Sequence, residues 1–204
     1  MLPEILEKEL ELLLVGTAIP KISVDLGFYY LAPNDRLWYL LEYAELTSPA
    51  VVTPAECKVL TEAKRAFVLD EMYQKLFFEK KESILRKHKI GITHLNRRMV
   101  VAADDDPEAM PTPSDVQKFV KKVEKFKPRC VAFITTVDVF EKCFKNLYKE
   151  LSREKGQQNF RIGASEVWFM GNTNSRLKNT EAMETLFDNL GEHIRSHAKT
   201  DGQG

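Results

Sequence analysis

Histidine, cysteine and glycine are all scarce in this chain, and each scarcity closes off a class of chemistry. The 204 residues include four histidines, three cysteines and nine glycines. Cys57, Cys130 and Cys143 are an odd number without metal-ligand spacing, so they read as thiols in a reducing compartment and not as a disulfide framework. Of His88, His94, His193 and His197, only the last two have an i,i+4 spacing, at a polar helix end that reads as solvated. The glycines form no GxxxxGK(S/T) phosphate loop, no GxGxxG dinucleotide turn and no GxSxG nucleophile elbow. No metal and no cofactor is expected.

An excess of charge of one sign is also missing. Thirty Lys and Arg balance thirty Asp and Glu, which argues against a generally basic nucleic-acid-binding surface but leaves room for a local basic patch. No apolar run is long enough to span a bilayer, and the opening "MLPEILEKELELLLVG" is too acidic for a signal peptide. The expectation is a monomer in the cytoplasm, with no membrane partner.

What is present is a series of short apolar runs. Residues 11–16, 89–93, 130–135 and 166–171 are continuously apolar and not alternating, as in strands covered on both faces of a parallel sheet. Helical patterns lie between them, at 35–46, twice within 53–88, at 112–128, at 136–156 and at 179–199. Alternating strands and helices predict an α/β fold, a three-layer α/β/α sandwich around a mainly parallel four-stranded sheet. Runs 11–16 and 130–135 should lie in its middle. Length predicts one domain over 1–204, with residues 50–88 as extra helical material that could meet a protein partner.

In such sheets the ligand crevice lies beyond the carboxyl ends of the strands. Two unusual segments leave such ends. One is the long aromatic loop "GTAIPKISVDLGFYYLAPNDRLW" after the first strand, and the other is "GNTNSRLKN" after the last. Together they offer aromatic surface, small polar groups and an arginine, which suits a flat ring held by stacking beside a phosphate backbone.

These segments resemble the mismatch-specific uracil/thymine branch of the uracil-DNA glycosylase superfamily. The spacing Gly16, Ser23, Gly27-Phe28, Pro33, Arg36 and Trp38 is similar to the family's first motif, in which a Gly-Ile-Asn-Pro-Gly-like run precedes Gly-Phe, Pro and Asn-Arg-Phe-Trp. "LPEILEKELELLLVG" is similar to the lead-in to its first strand, "GITHL" at 91–95 to its Gly-Ile-Thr segment, and "FRIGASEVWFMGNTNSR" to the strand before its Asn-Pro-Ser-Gly loop. The resemblance implies hydrolysis of the N-glycosidic bond of uracil or another deaminated or mismatched base in DNA repair, on a nucleotide flipped out of duplex DNA.

Carried over by position, the resemblance puts Tyr30 on the base, with Thr17 and Ala18 beside it. It puts Asn172 at the opening of the second loop and Ser175 and Arg176 at its end. Lys21 and Lys178 would complete a cationic rim for DNA. Ala18 replaces the asparagine that positions water in the family, and a methyl group cannot orient water. Asp25 and Asp35 are the nearest substitutes, each also readable as a loop-capping carboxylate. Three readings stay open: a slow or inactive glycosylase, a non-catalytic nucleic-acid- or nucleotide-binding protein, and a scaffold that uses the extra helices.

Overall fold

A computed structural model describes residues 1–32, 34–66, 70–101, 107–174 and 180–201. The four apolar runs are strands: β1 (Leu12–Pro20), β2 (Ile90–Val101), β3 (Cys130–Ile134) and β5 (Ser165–Phe169). A further strand, β4 (Gly156–Ile162), makes the sheet five-stranded in the order β2-β1-β3-β5-β4. The first four pair in parallel, and β4 runs antiparallel to β5 at the edge. The fold is therefore α/β with a mostly parallel sheet, and β1 and β3 occupy its middle.

Two expectations need correction. The helix expected to reach Gly156 stops early, as α6 (Val137–Phe144), and the chain then enters β4. In β4 only alternate side chains, Gln158, Phe160 and Ile162, are buried. A search for continuous apolar runs passes over such a half-wet edge strand. The long loop after the first strand is also shorter than expected. β1 continues to Pro20, and a six-residue helix, α1 (Lys21–Leu26), follows at once.

Alternate side chains of β1 feed two separate cores, as the period of two in a strand requires. Leu12 and Leu14 pack with Leu40 and Leu41 of α2 (Leu37–Tyr43), Phe77 of α4 (Glu71–Lys87) and Phe187 of α7 (Thr180–Asp201). Leu13 and Val15 pack on the other face with Phe119 of α5 (Pro113–Phe126) and Phe140 of α6. Helix starts follow the local sequence. Thr53-Pro54 with Glu56 opens α3 (Pro54–Arg65), and Thr112-Pro113 with Asp115 opens α5, each through a reciprocal capping box. Among the described residues no helix is long and apolar enough to cross a membrane.

Candidate functional site

From β1 the chain crosses to β2 on one side, whereas the later strands β3 and β5 extend the sheet on the other. The carboxyl ends of β1 and β3 therefore flank a topological switch point, where open parallel sheets receive ligands. Thr17 of β1 and Thr135 after β3 share a buried hydroxyl–hydroxyl hydrogen bond of 2.5 Å there. Above it lies a narrow crevice of about 50 Å³, lined in part by Gly16, Ala18, Tyr30, Asp35, His94 and Asn172.

The loop after β1 and the loop after β5 close over this crevice. Asp35 Oδ1 accepts hydrogen bonds from the Leu37 amide (2.9 Å) and from the Thr173 hydroxyl (2.8 Å). Asn34 donates to Asn174 Oδ1 at 2.8 Å, and the Arg36 amide donates to the Thr173 carbonyl at 3.2 Å. Asn172 Oδ1 accepts from the Asn174 amide at 2.9 Å, which folds the second loop into a compact turn.

His94, on β2, went unassigned from sequence and is the most unusual group in the site. It is 3% exposed, and its Nδ1 has no hydrogen-bond partner among the described residues. Tyr29 and Tyr30 stack on its ring at 5.4 Å and 6.1 Å between centroids. Burial, reinforced by Arg97 and Lys122, pushes its pKa down to about 3. The imidazole is thus neutral at physiological pH and can exchange hydrogen bonds but carries no charge. The available signal was a run of polar residues, Thr93, His94 and Asn96, in a strand buried on both faces.

Gly16 is cross-strand from His94, and a Cβ there would lie 2.6 Å from His94 Cδ2 and 2.9 Å from the Tyr30 hydroxyl. We predict that Gly16→Ala destabilises the protein by about 1–3 kcal/mol through overpacking. Urea unfolding checks this, and an unchanged midpoint would mean that the stacked rings move aside freely.

The structure gathers some of the expected site residues and disperses others. Thr17, Ala18, Tyr30, Asp35 and Asn172 all line the crevice. Asp25 is not among its lining residues. It sits on α1 beside Lys21, in a one-turn ion pair of 3.2 Å, and its carbonyl accepts from Gln74. Lys21 is exposed in that pair and does not face the crevice from across it. Ser175, Arg176 and Lys178 lie outside the described residues. Ala18 is buried and packs with Val101 and Ala109. Tyr30 lines the crevice, with its ring stacked on that of His94 at 6.1 Å between centroids.

Two larger clefts flank the crevice. A groove of about 640 Å³ between α2 and α3 shares Tyr30, Ala32 and Asp35 with it. A cleft of about 760 Å³ past β3 and β5 shares Asn172 and adds Arg153 and Lys155. Burial lowers the pKa of Lys155 from its ordinary value. The helices expected to meet a partner, α3 and α4, expose Val59, Met72, Tyr73 and Leu76. Compared with the models of known protein families, the chain matches none.

Proposed function

We propose that this protein is uracil-DNA glycosylase-like, a three-layer α/β/α sandwich that receives a flipped uracil or another deaminated or mismatched base and hydrolyses its N-glycosidic bond slowly. The observation that carries the reading is the meeting of two loops at the switch point, where Thr173 and Asp35 hydrogen-bond beside a crevice lined by Tyr30, His94 and Asn172. Aromatic surface at such a place suits a base, which gains about 1–3 kcal/mol from stacking.

The crevice of about 50 Å³ has room for water and not for a base. The added space would come from Tyr30. Its ring forms a wall shared with the 640 Å³ groove, and its backbone holds a positive φ of 53° that is uncommon for a side chain of its size. Swinging the ring off His94 would join the two hollows. His94 could then donate a hydrogen bond to the departing base.

Slow chemistry follows from residue 18. Losing a group that stabilises the transition state typically costs roughly 10²–10³-fold. A non-catalytic base- or nucleotide-binding protein on the same fold is the second reading. It is favoured by Asp35, whose Oδ1 is engaged by Leu37 and Thr173.

The test is incubation with duplexes carrying uracil, hypoxanthine or a mismatch. Abasic sites are read by alkaline cleavage and binding by gel shift. Slow abasic product is expected, with binding that falls steeply as salt rises. Binding without product selects the second reading, and no binding to any duplex sinks the first and leaves the second only as a binder of free nucleotides.

The simple reversion Ala18→Asn should not rescue excision. Residue 18 lies within β1, and its side chain packs into the trio with Val101 and Ala109. An amide buried there without partners should cost about 1–3 kcal/mol of stability. A hundredfold gain in uracil release would show that the new amide turns into the crevice and away from Val101 and Ala109.

A further inference from the structure

The amino ends of β3 and β5 lie at the opposite end of the sheet from the crevice. Cys130 opens β3, Glu166 stands second in β5, and the two are cross-strand partners. His193 of α7 reaches the same point and hydrogen-bonds Glu166 Oε2 through Nε2. Cys130 Sγ lies 4.0 Å from that oxygen, and the three donor atoms all fall within 4.8 Å of one another.

We propose that Cys130, Glu166 and His193 form a zinc-binding site, with water in the fourth position. Three elements far apart in sequence bring a sulfur, an oxygen and a nitrogen to one point, which is the mixed donor set that zinc accepts. Tetrahedral bonds of about 2.0–2.3 Å place ligand atoms roughly 3.4–3.6 Å apart. The thiol–carboxylate gap needs only a small contraction, and the Glu166–His193 hydrogen bond opens to admit the ion. A thiolate and a carboxylate together balance the two positive charges, the thiol proton leaving to solvent as the metal binds.

The surroundings hold these ligands in place. Arg161 takes the other Glu166 oxygen at 2.6 Å, which leaves Oε2 turned toward the cysteine and the histidine. Trp168 and His197 pack against the His193 ring at 5.4 Å and 4.6 Å, the latter nearly edge-on. Outer contacts of this kind orient metal ligands. A plain Glu–His ion pair would account for two of the three groups but not for a buried cysteine aimed at the same oxygen. Read from sequence, His193 and His197 were a solvated pair; the fold supplies His193 with two further ligands.

The 204-residue chain is stripped with a chelator, dialysed and titrated with Zn²⁺ by calorimetry and with Co²⁺ by absorption spectroscopy. One ion per chain is expected, with a near-ultraviolet thiolate-to-cobalt charge-transfer band. Cys130→Ser should abolish that band, and His193→Gln should weaken zinc binding by at least about tenfold, the loss that even an outer-shell change can bring. The cobalt spectrum of the unaltered protein decides the matter even where a variant folds poorly. Absence of saturable binding, cobalt bound without the thiolate band, or unchanged affinity in both variants would overturn the assignment.

Discussion

Replacing Phe133 with alanine should lower the unfolding free energy by about 3–5 kcal/mol. Phe133 stands in β3, in the middle of the sheet, and is completely buried. Its ring packs against those of Phe119, Phe140 and Phe144, with centroids 5.6, 5.1 and 4.9 Å away, at tilted or edge-on angles. Removing it takes the shared partner out of an aromatic layer that joins α5 and α6 to the sheet. The neighbouring rings are large and stiff, so they cannot collapse into the space, and the cavity adds to the lost transfer energy. Against a total stability of about 5–15 kcal/mol for an ordinary domain, the loss is severe. The urea midpoint should fall with an unchanged slope, because the surface exposed on unfolding hardly alters. Phe133→Leu keeps most of the volume and should cost less than about 1.5 kcal/mol. Similar losses for the two variants would mean that ring packing contributes little beyond volume.

Replacing Glu56 with alanine should cost about 3 kcal/mol, the lower end of the range for breaking a buried ion pair. Lys81 on α4 is 3% exposed, and its ammonium donates to Glu56 Oε1 on α3 at 2.6 Å. The charge also lies 5.1 Å from the centre of the Phe77 ring. Without Glu56 the cation stays buried and loses its carboxylate partner. Glu56 itself is a third exposed, which keeps the loss from being larger. The same carboxylate closes the capping box with Thr53, so α3 frays at its start. Because α3 walls the 640 Å³ groove through Cys57, Lys58 and Thr61, the groove should loosen as well. Glu56→Ala combined with Lys81→Met should recover most of the loss, since no charge is then stranded. If the double variant is no better than Glu56→Ala alone, the pair is not what joins the two helices.

The same pair sets a pH dependence. Burial opposes the Glu56 charge, but hydrogen bonds from Lys81 and Thr53 outweigh it and hold the pKa below the ordinary 4.5. A carboxylate with a depressed folded-state pKa contributes stability in full above its unfolded value and loses it as pH falls through the folded one. The gap between the natural protein and Glu56→Ala should therefore be constant near neutrality and narrow below about pH 4.5. A gap that persisted into strong acid would mean that the Glu56 charge is not its origin.

Which segments become strands and helices was readable from the residues, because those signals are local. Continuous burial marks β1, β3 and β5, and Thr53 and Thr112 announce their helices through contacts only three residues long. β4 was not readable, since an edge strand with one wet face carries half the apolar signal. Likewise Asp25 and Asp35 are alike in sequence, each a carboxylate beside the aromatic run. The helix α1 pairs one with Lys21 a single turn away, and only packing turns the other toward Thr173, 138 residues away.

By itself the sequence determined that this is an α/β chain with a mostly parallel sheet, and it singled out the two segments, after β1 and after β5, whose residues line one crevice. Period, apolar runs and caps act over a few residues and survive any rearrangement of the whole. The tertiary structure alone decided that the crevice holds about 50 Å³, that a neutral His94 lies under Tyr30, and that Cys130, Glu166 and His193 converge at the far end. Each of these depends on strand order and register, and a shift of one residue would turn His94, Cys130 or Glu166 to the other face of its strand.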